Sequence, residues 1–284
     1  MGDEWALRSS SPMLYPAARM LRRMRTLTAT VLLFAAASVY GSQPLETETA
    51  RLLPQGIFKI EFTGEFQTSH EGTERAFPLV FEYGLTPRTE IAVEPVFGTS
   101  INPKTGASAS GFGDVEVTLT HLLLAEQGGA PAVAVAGELK LPTAGNRQIG
   151  TGKTDGTLWA IASKRLGRLD LHGNLGYTIV GSPAGTHLKN VINYAVAEEF
   201  HLSPQYDIVG EFLGNTSSTG ETVEGTPPPS GTPIPAEAAS GETSVMIGLR
   251  YHVNAKLFVS VGVSYDNNHA LLIRPGVTWR FGGR

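Results

Sequence analysis

The sequence predicts an all-β protein, a single closed, antiparallel, up-and-down transmembrane β-barrel of about 12 strands. From about Gly56 onward, apolar and polar residues alternate in segment after segment, as they do in strands that separate two environments. Short and long connections between these segments also alternate along the chain. Near the start, arginines precede a short apolar run in the pattern of an export signal. Together these features favour an outer-membrane barrel with short periplasmic turns and longer external loops.

Composition excludes several classes of protein. The 284 residues carry a net charge of −4, which is too close to balance to suggest a nucleic-acid partner. Cysteine is absent, so disulfides and thiolate metal sites are excluded. The 33 glycines and 18 prolines suit a chain with many turns.

The first 41 residues are predicted to be an N-terminal extension and a signal peptide. Arg22, Arg23 and Arg25 precede the apolar residues 27–39, which are too few to span a bilayer, and cleavage is expected after Gly41. Because residues 1–18 have no place in a signal peptide, Met20 and Met24 are alternative starts to Met1. A buried N-terminal helix is the other interpretation. Residues 42–55 are then a short periplasmic segment, and residues 56–284 form the barrel.

The last predicted strand, Leu271–Phe281, has two different faces. Ile273, Val277 and Trp279 fall on one face, whereas Arg274 and Arg280 fall on the other. We expect the apolar face to contact lipid and the arginines to face a polar lumen. This strand is predicted to close the barrel by pairing with the first strand.

Eleven other strands follow from the same alternation. They are predicted at residues 57–67, 77–85, 88–97, 112–124, 131–141, 154–166, 168–180, 190–202, 205–214, 242–252 and 256–265. The pattern at 154–166 does not assign its two faces. The longest loop, 215–241, is rich in Thr, Pro, Gly and Ser.

Twelve charged or histidine side chains are predicted to line the lumen. In a dry core they would be very costly, so they must be paired or hydrated. One interpretation is a salt-bridge lattice that fills the interior, and the other is a hydrated conduit that selects solutes. Barrels of about eight strands are filled by side chains, and barrels of about sixteen or more hold an aqueous channel. Because twelve strands lie between these sizes, we expect a narrow pore partly closed by an inward-folding loop. The residues are Glu61, Glu65, Glu94, Glu116, Glu138, Lys140, Asp170, His172, Glu211, Arg250, Arg274 and Arg280.

Aromatic residues near the strand ends are predicted to form girdles at the two membrane interfaces. This role is structural rather than chemical. The residues are Trp159, Tyr177, Tyr206, Tyr251, Trp279 and Phe281.

The pattern has other interpretations. A soluble two-sheet protein explains the alternation, but not the export signal, the unequal loops and the aromatic last strand together. The run Gly150–Thr154 ends like a phosphate-binding loop but lacks the first glycine, whose place is taken by Arg147. No histidine pair has metal-ligand spacing, so no metal is predicted. Ser163 and His172 on neighbouring strands could form a hydrolase pair, although the sequence places no third group beside them.

Several ordered segments identify a family resemblance. GFGDVEVTLTHLLL (111–124), ELKLPTAG (138–145), GTGKTDGTLWAIASKRLG (150–167), LHGNLGYTIVG (171–181) and the final GVTWRF resemble outer-membrane proteins labelled for the meta pathway of phenol degradation or as transporters. The resemblance covers residues 56–281. It implies a single-domain barrel in a Gram-negative outer membrane and passage of aromatic or other small solutes. Gly282–Arg284 depart from the family pattern, in which the chain ends on the aromatic residue.

The expected function is a channel or transporter for passive uptake or efflux of small solutes, hydrophobic or aromatic compounds among them. A sealed barrel that presents external loops, chiefly 215–241, to a partner is one alternative. An outer-membrane hydrolase is the other. No cofactor and no catalytic residue are expected. The expected partners are outer-membrane lipid, the barrel-assembly machinery and a small solute of unknown identity.

Overall fold

The computed structural model describes residues 43–218 and 241–282 of the chain. The predicted signal peptide and its cleavage site, most of the 215–241 loop and the last two residues lie outside these ranges. No helix within the described ranges is long and apolar enough to cross a membrane.

The described residues form strands joined by turns and loops. The strands are β1 (Phe58–Thr63), β2 (Glu65–Thr68), β3 (Gly72–Thr86), β4 (Thr89–Pro103), β5 (Ala109–Gly111), β6 (Val115–Leu124), β7 (Ala132–Leu141), β8 (Asp155–Leu166), β9 (Leu169–Ile179), β10 (Val191–His201), β11 (Tyr206–Asn215), β12 (Thr243–His252), β13 (Leu257–Asp266) and β14 (Leu271–Phe281).

These strands close into a barrel, as the sequence predicts. Each long strand pairs with its neighbours in antiparallel register, and β14 pairs with both β1 and β2. β1 and β2 occupy one position in the wall, interrupted at Gly64, and the short β5 pairs with the outer part of β4. The result is a closed barrel of 12 strands with two extra short strands. The prediction of fold class is confirmed.

The interruption of the first strand lies opposite Pro275 of β14. Proline has no backbone N–H to give to a neighbouring strand, so regular pairing is lost there. The Gly64 amide instead donates to the Pro275 carbonyl at 2.9 Å. The two halves of the seam are thereby held together across the break.

The strands β3 and β4 are longer than predicted. Each has 15 residues, and the loop between β2 and β3 shrinks to residues 69–71. The register shifts between Ala76 and Pro78, where a proline again removes a ladder donor. Beyond this shift the β3–β4 hairpin continues through polar residues. Backbone hydrogen bonds between the two strands stabilise it there, although apolar and polar residues no longer alternate.

Two opposite environments explain the alternation. Outward side chains are large and apolar, and those of Leu158, Ile247 and Leu175 are 67%, 66% and 59% exposed. Inward side chains such as Lys59 and Glu199 are charged and buried, at 3% and 0% exposure. This is the inverse of a soluble protein and matches a barrel whose outer face meets hydrocarbon.

An arginine on the outer wall should destabilise the barrel, because Val261 lies at the middle of β13 among outward apolar residues. We expect Val261→Arg to lower the free energy of unfolding by about 2–4 kcal/mol in lipid vesicles, as charged residues do at the midplane. Urea titration of the refolded protein would measure this, with Val261→Leu as the control. Equal stability of the arginine variant and the wild type would indicate a water-facing wall.

Candidate functional site

The interior wall is the candidate site, and the twelve predicted side chains all face it. Burial and cross-strand pairing place them on the inward parity of their strands. Several contact one another directly: Glu65 accepts from Arg274 at 3.2 Å, and Lys140 is ion-paired with Asp155. Glu116 lies between Glu94 and Lys140 in the register of three neighbouring strands. These side chains therefore share the inner face of the wall, and their role as the lining of a solute path stays a prediction.

A stretch of chain before β1 lies inside the barrel. The segment Gln43–Leu53, which we call the inner segment, makes hydrogen bonds to inward side chains of several strands. Thr47 and Ala50 within it are almost completely buried. Residues 42–55 were expected to form a short periplasmic segment, and within that range residues 43–53 contact the inner wall. The reason is that their backbone amides find carboxylate and hydroxyl acceptors on the inner wall.

The inner segment forms a loop that enters and leaves at the same end of the barrel. Gln43 contacts Lys59 at the start of β1, and the Leu53 amide donates to Glu90 near the short turn between β3 and β4. Between these points the chain reaches Glu211, which lies further along its strand from the short turns. The segment thus occupies the interior at the short-turn end, and its tip reaches Arg274 of β14.

The tip of the inner segment is held by one carboxylate. Glu211 accepts the backbone N–H groups of Leu45, Glu46 and Thr47, the last at 3.2 Å. Successive amides converging on one carboxylate form an anion-binding arrangement. Arg274 donates to the Leu45 carbonyl on the other side of the tip. The tip therefore satisfies charged groups that would otherwise be buried without partners.

Inward glycines make room for this tip. A Cβ atom added to Gly248 would lie 2.4 Å from the Leu45 Cδ1 atom, and one added to Gly262 would lie 3.0 Å from it. At Gly84, an added Cβ would lie 2.2 Å from the Pro54 carbonyl oxygen. Glycine within a strand often marks a close approach of other backbone. These glycines were the sequence signal for an occupied lumen, and it was missed.

Arg250 fixes the start of the inner segment. Its side chain is 1% exposed and bonds the Glu199 carboxylate at 2.7 Å, the Pro44 carbonyl at 2.6 Å and the Gln43 carbonyl. A buried guanidinium needs a partner for its charge and acceptors for its donors. The carboxylate and the two carbonyls supply these at Nη1 and Nη2, whereas Nε has no hydrogen-bond partner among the described residues. Arg250 therefore joins the wall to the segment.

A further ion network lies at the short-turn end. His201 bridges two aspartates, with Nδ1 2.8 Å from Asp207 and Nε2 3.0 Å from Asp170. Asp170 also pairs with Arg165 of the wall and with Arg51 of the inner segment, the latter at 3.2 Å. The network therefore connects four strands, β8 to β11, to the segment.

Part of this network resembles a metal-ligand set. Donor atoms of Glu199, His201 and Asp207 lie within 4.8 Å of one another. The cluster could not be read from the sequence because it forms across strands, with His201 opposite Asp207. However, Arg250 lies 2.7 Å from Glu199 and 3.7 Å from Asp207, so a guanidinium already offsets the carboxylates. We interpret the cluster as an ion network.

The serine and histidine considered as a hydrolase pair do contact each other. Ser163 Oγ lies 2.9 Å from His172 Nδ1. The same hydroxyl oxygen accepts the Ala50 amide at 2.9 Å, and the side chains are 1% and 2% exposed. His172 Nε2 has no hydrogen-bond partner in the described part of the chain, so no orienting group completes a catalytic arrangement. The pair serves as an anchor for the inner segment.

One predicted girdle residue is misplaced. Trp159 points inward, where its indole N–H donates to Glu138 at 3.0 Å. Gly176 on the next strand leaves space for the ring, since an added Cβ would be 2.6 Å from it. The neighbouring Leu158 faces outward instead. The faces of this strand could not be read because apolar and polar residues occur on both of them.

The other girdle residues face outward. Tyr206 and Tyr251 are cross-strand neighbours with ring centroids 5.0 Å apart, and Trp279 stacks on Phe281 at 5.2 Å. These four lie at the short-turn end, whereas Tyr177 lies toward the other end of β9. Rings at these positions suit the interface between hydrocarbon and headgroups.

Fold and interior together define a transmembrane β-barrel whose lumen holds a segment of its own chain. The sequence matches the family described as "Putative MetA-pathway of phenol degradation" over residues 42–281, and the chain belongs to that family. A search of curated protein sequences gives no match.

Solved barrels share the fold at low sequence identity. An outer-membrane channel of the COG4313 type from Pseudomonas putida F1 is 13% identical with a TM-score of 0.60, over 85% of this chain and 100% of that one. The NanC porin is 12% identical with a TM-score of 0.53, over 78% and 98%. The KdgM porin in complex with disordered oligogalacturonate is 9% identical with a TM-score of 0.52, over 79% and 99%.

Glu126 makes the anchoring of the inner segment dependent on pH. It lies in the turn between β6 and β7 and accepts hydrogen bonds from Arg51 at 2.9 Å, Lys164 at 3.0 Å and the Arg165 amide at 3.0 Å. Burial raises the pKa of Glu126, but these bonds outweigh burial and lower the pKa from 4.5 to about 2. The ionised form is therefore the one that the folded state stabilises.

Replacing Glu126 by glutamine should remove stability only where the carboxylate is ionised. Because the folded pKa is depressed, the stability difference between wild type and Glu126→Gln should be full above about pH 4.5 and vanish as the pH falls through about 2. Thermal unfolding between pH 2 and 7, followed by tryptophan fluorescence, would measure it. Glu71→Gln in an exposed loop is the matched control and should show no such trend. A difference that does not change with pH would contradict the assignment.

Proposed function

We propose that this protein is an outer-membrane channel for passive uptake or efflux of small solutes. The observation that carries the proposal is the charged, inward-facing wall inside a closed barrel whose outer face is apolar. Such a wall costs free energy in a sealed, dry interior and is favourable in a hydrated conduit. The family description suggests aromatic compounds as solutes.

The neighbours support this role and the location. Their printed descriptions are those of porins and an outer-membrane channel, and one porin structure contains an oligogalacturonate. Outer-membrane barrels place short turns in the periplasm, so the inner segment would enter from that side. Outer-membrane lipid and the barrel-assembly machinery are the partners that this location requires.

In this proposal the inner segment is a gate. It lies across the lumen at the short-turn end, while Glu94, Glu116, Glu138 and Lys140 lie on inward faces toward the long-loop end. Solute would enter at the long-loop end and pass only when Gln43–Leu53 move. The twelve inward residues would then determine which solutes are favoured.

Deleting residues 43–53 should raise conductance. In planar bilayers, we expect the intact mature chain to show small or rare openings and the deletion variant to show openings several-fold larger. A barrel of 12 strands has a narrow interior, so the removal of eleven residues from it substantially enlarges the free cross-section of the lumen. Replacing the same residues by a Gly/Ser linker of equal length controls for the presence of a chain in the lumen.

The sealed-barrel alternative gives the opposite result. If neither the intact chain nor the deletion variant conducts, although both remain folded and heat-modifiable, the interior is filled by its own side chains. The external loops would then be the functional part.

The hydrolase alternative is tested separately, because Ser163 and His172 are hydrogen-bonded. We expect no labelling of the intact protein by a fluorophosphonate probe, since the hydroxyl is 1% exposed and already accepts the Ala50 amide. Ser163→Ala is the control for nonspecific labelling. Labelling that disappears in Ser163→Ala would overturn the channel assignment in favour of an enzyme.

A further inference from the structure

One carboxylate lies among apolar side chains on the outer face of the wall. Among the fourteen strands of the described ranges, Glu198 is the only outward-facing carboxylate. It lies between Val196 and Phe200 on β10, and both of these also face outward. The Glu198 side chain makes no hydrogen bond or ion pair with another described residue. A carboxylate that faces lipid without a partner is unfavourable, so its partner should come from outside the chain.

The carboxylate lies in a groove created by a glycine. Gly210 is the cross-strand neighbour of Glu198, and a Cβ atom added there would lie 3.2 Å from Glu198 Oε1. The groove has a volume of about 280 Å³. Its remaining walls are apolar and are formed mainly by Leu169, Phe200, Ile208 and Ile247. A ligand here must combine a positive group with hydrocarbon.

An arginine lies beside the same groove, toward the short turn. The Arg168 guanidinium is 5.6 Å from the centroid of the Phe200 ring. Its Nε donates to the His201 carbonyl at 2.8 Å, and Nη2 donates to the Leu202 carbonyl. Five N–H donors are present on a guanidinium, so donors remain for an anion. A carboxylate and a guanidinium therefore flank one aromatic ring on the outer face.

We propose that this groove binds an aminophospholipid of the periplasmic leaflet. The ammonium group would pair with Glu198, the phosphate with Arg168, and an acyl chain would lie along Ile208 and Ile247. Along β10, Glu198 is the next outward-facing residue after Phe200 in the direction away from the short turn. It is therefore close enough to the short-turn end for its carboxylate to reach the lipid headgroups. The leaflet assignment uses the orientation proposed above, but lipid binding can be measured whether or not the barrel conducts.

A second copy of the chain is a poorer occupant. Copies related by an axis along the membrane normal hold Glu198 at the same depth. A two-fold contact centred on the groove would bring two carboxylates together in a medium of low polarity. A zwitterionic headgroup supplies the missing positive charge and accepts the hydrogen bonds that Arg168 can still donate.

Native mass spectrometry of the full chain purified from membranes would test the proposal. Phosphatidylethanolamine and phosphatidylglycerol with identical acyl chains are offered at equal concentration. We expect about threefold or greater retention of phosphatidylethanolamine, the ratio that one exposed ion pair provides. Glu198→Gln should reduce this ratio to about one. Val261→Gln, which places the same amide on the outer face of β13, should leave the ratio unchanged.

A second variant keeps the charge and fills the groove. Gly210→Val should also abolish the preference for phosphatidylethanolamine, because its side chain would meet the Glu198 carboxylate. Equal retention of the two lipids by the wild type would overturn the proposal, as would an unchanged preference in Glu198→Gln. A lipid-free dimer that Gly210→Val converts to a monomer would identify a second copy as the occupant instead.

Discussion

Closure of the wall is the constraint on which the rest of the structure depends. In hydrocarbon an unpaired backbone N–H or carbonyl has no water to bond, so a sheet can cross a membrane only if its two edges meet. β14 meets that requirement by pairing with β1 on one side of Gly64 and with β2 on the other. Once the edges are joined, every strand has one face toward lipid and one toward an enclosed space, and the alternation of the sequence follows.

Closure creates a second problem, because inward charges are removed from bulk water along with the backbone. The chain solves it with its own residues. Glu211 is matched by three amides and Arg250 by two carbonyls of the inner segment, and Arg51 reaches the aspartate of β9. The inner segment is thus both an obstruction and a set of hydrogen-bond partners. Its removal would leave these groups to water that must then enter the lumen.

Much of the wall could be predicted from the sequence. Strands such as Leu169–Ile179 and Leu271–Phe281 alternate strictly, so both their existence and their inward residues follow from a period of two. Prediction failed where alternation carries no information. Small residues occupy both faces of β8, which hid the inward Trp159, and β3 and β4 extend through polar residues.

The inner segment was missed for a different reason. Its residues have no periodicity, and their position is determined by partners more than one hundred residues away, such as Asn174 and Glu211. The clue was on the wall instead, in glycines at inward positions where a side chain would be expected. The Glu199, His201 and Asp207 cluster was equally hidden, because two strands had to be placed in register before it formed.

The looped course of the inner segment has a mechanical consequence. Because the segment enters and leaves the barrel at one end, it can be withdrawn without threading the chain through the wall or past the far loops. A pull at Gln43 toward the short-turn end would load the Arg250 contacts first, then those of Glu211, and only afterwards Ser163 and Glu90. The contacts would break one after another. The force needed to withdraw the segment is therefore that of the strongest single contact and not the sum of all of them.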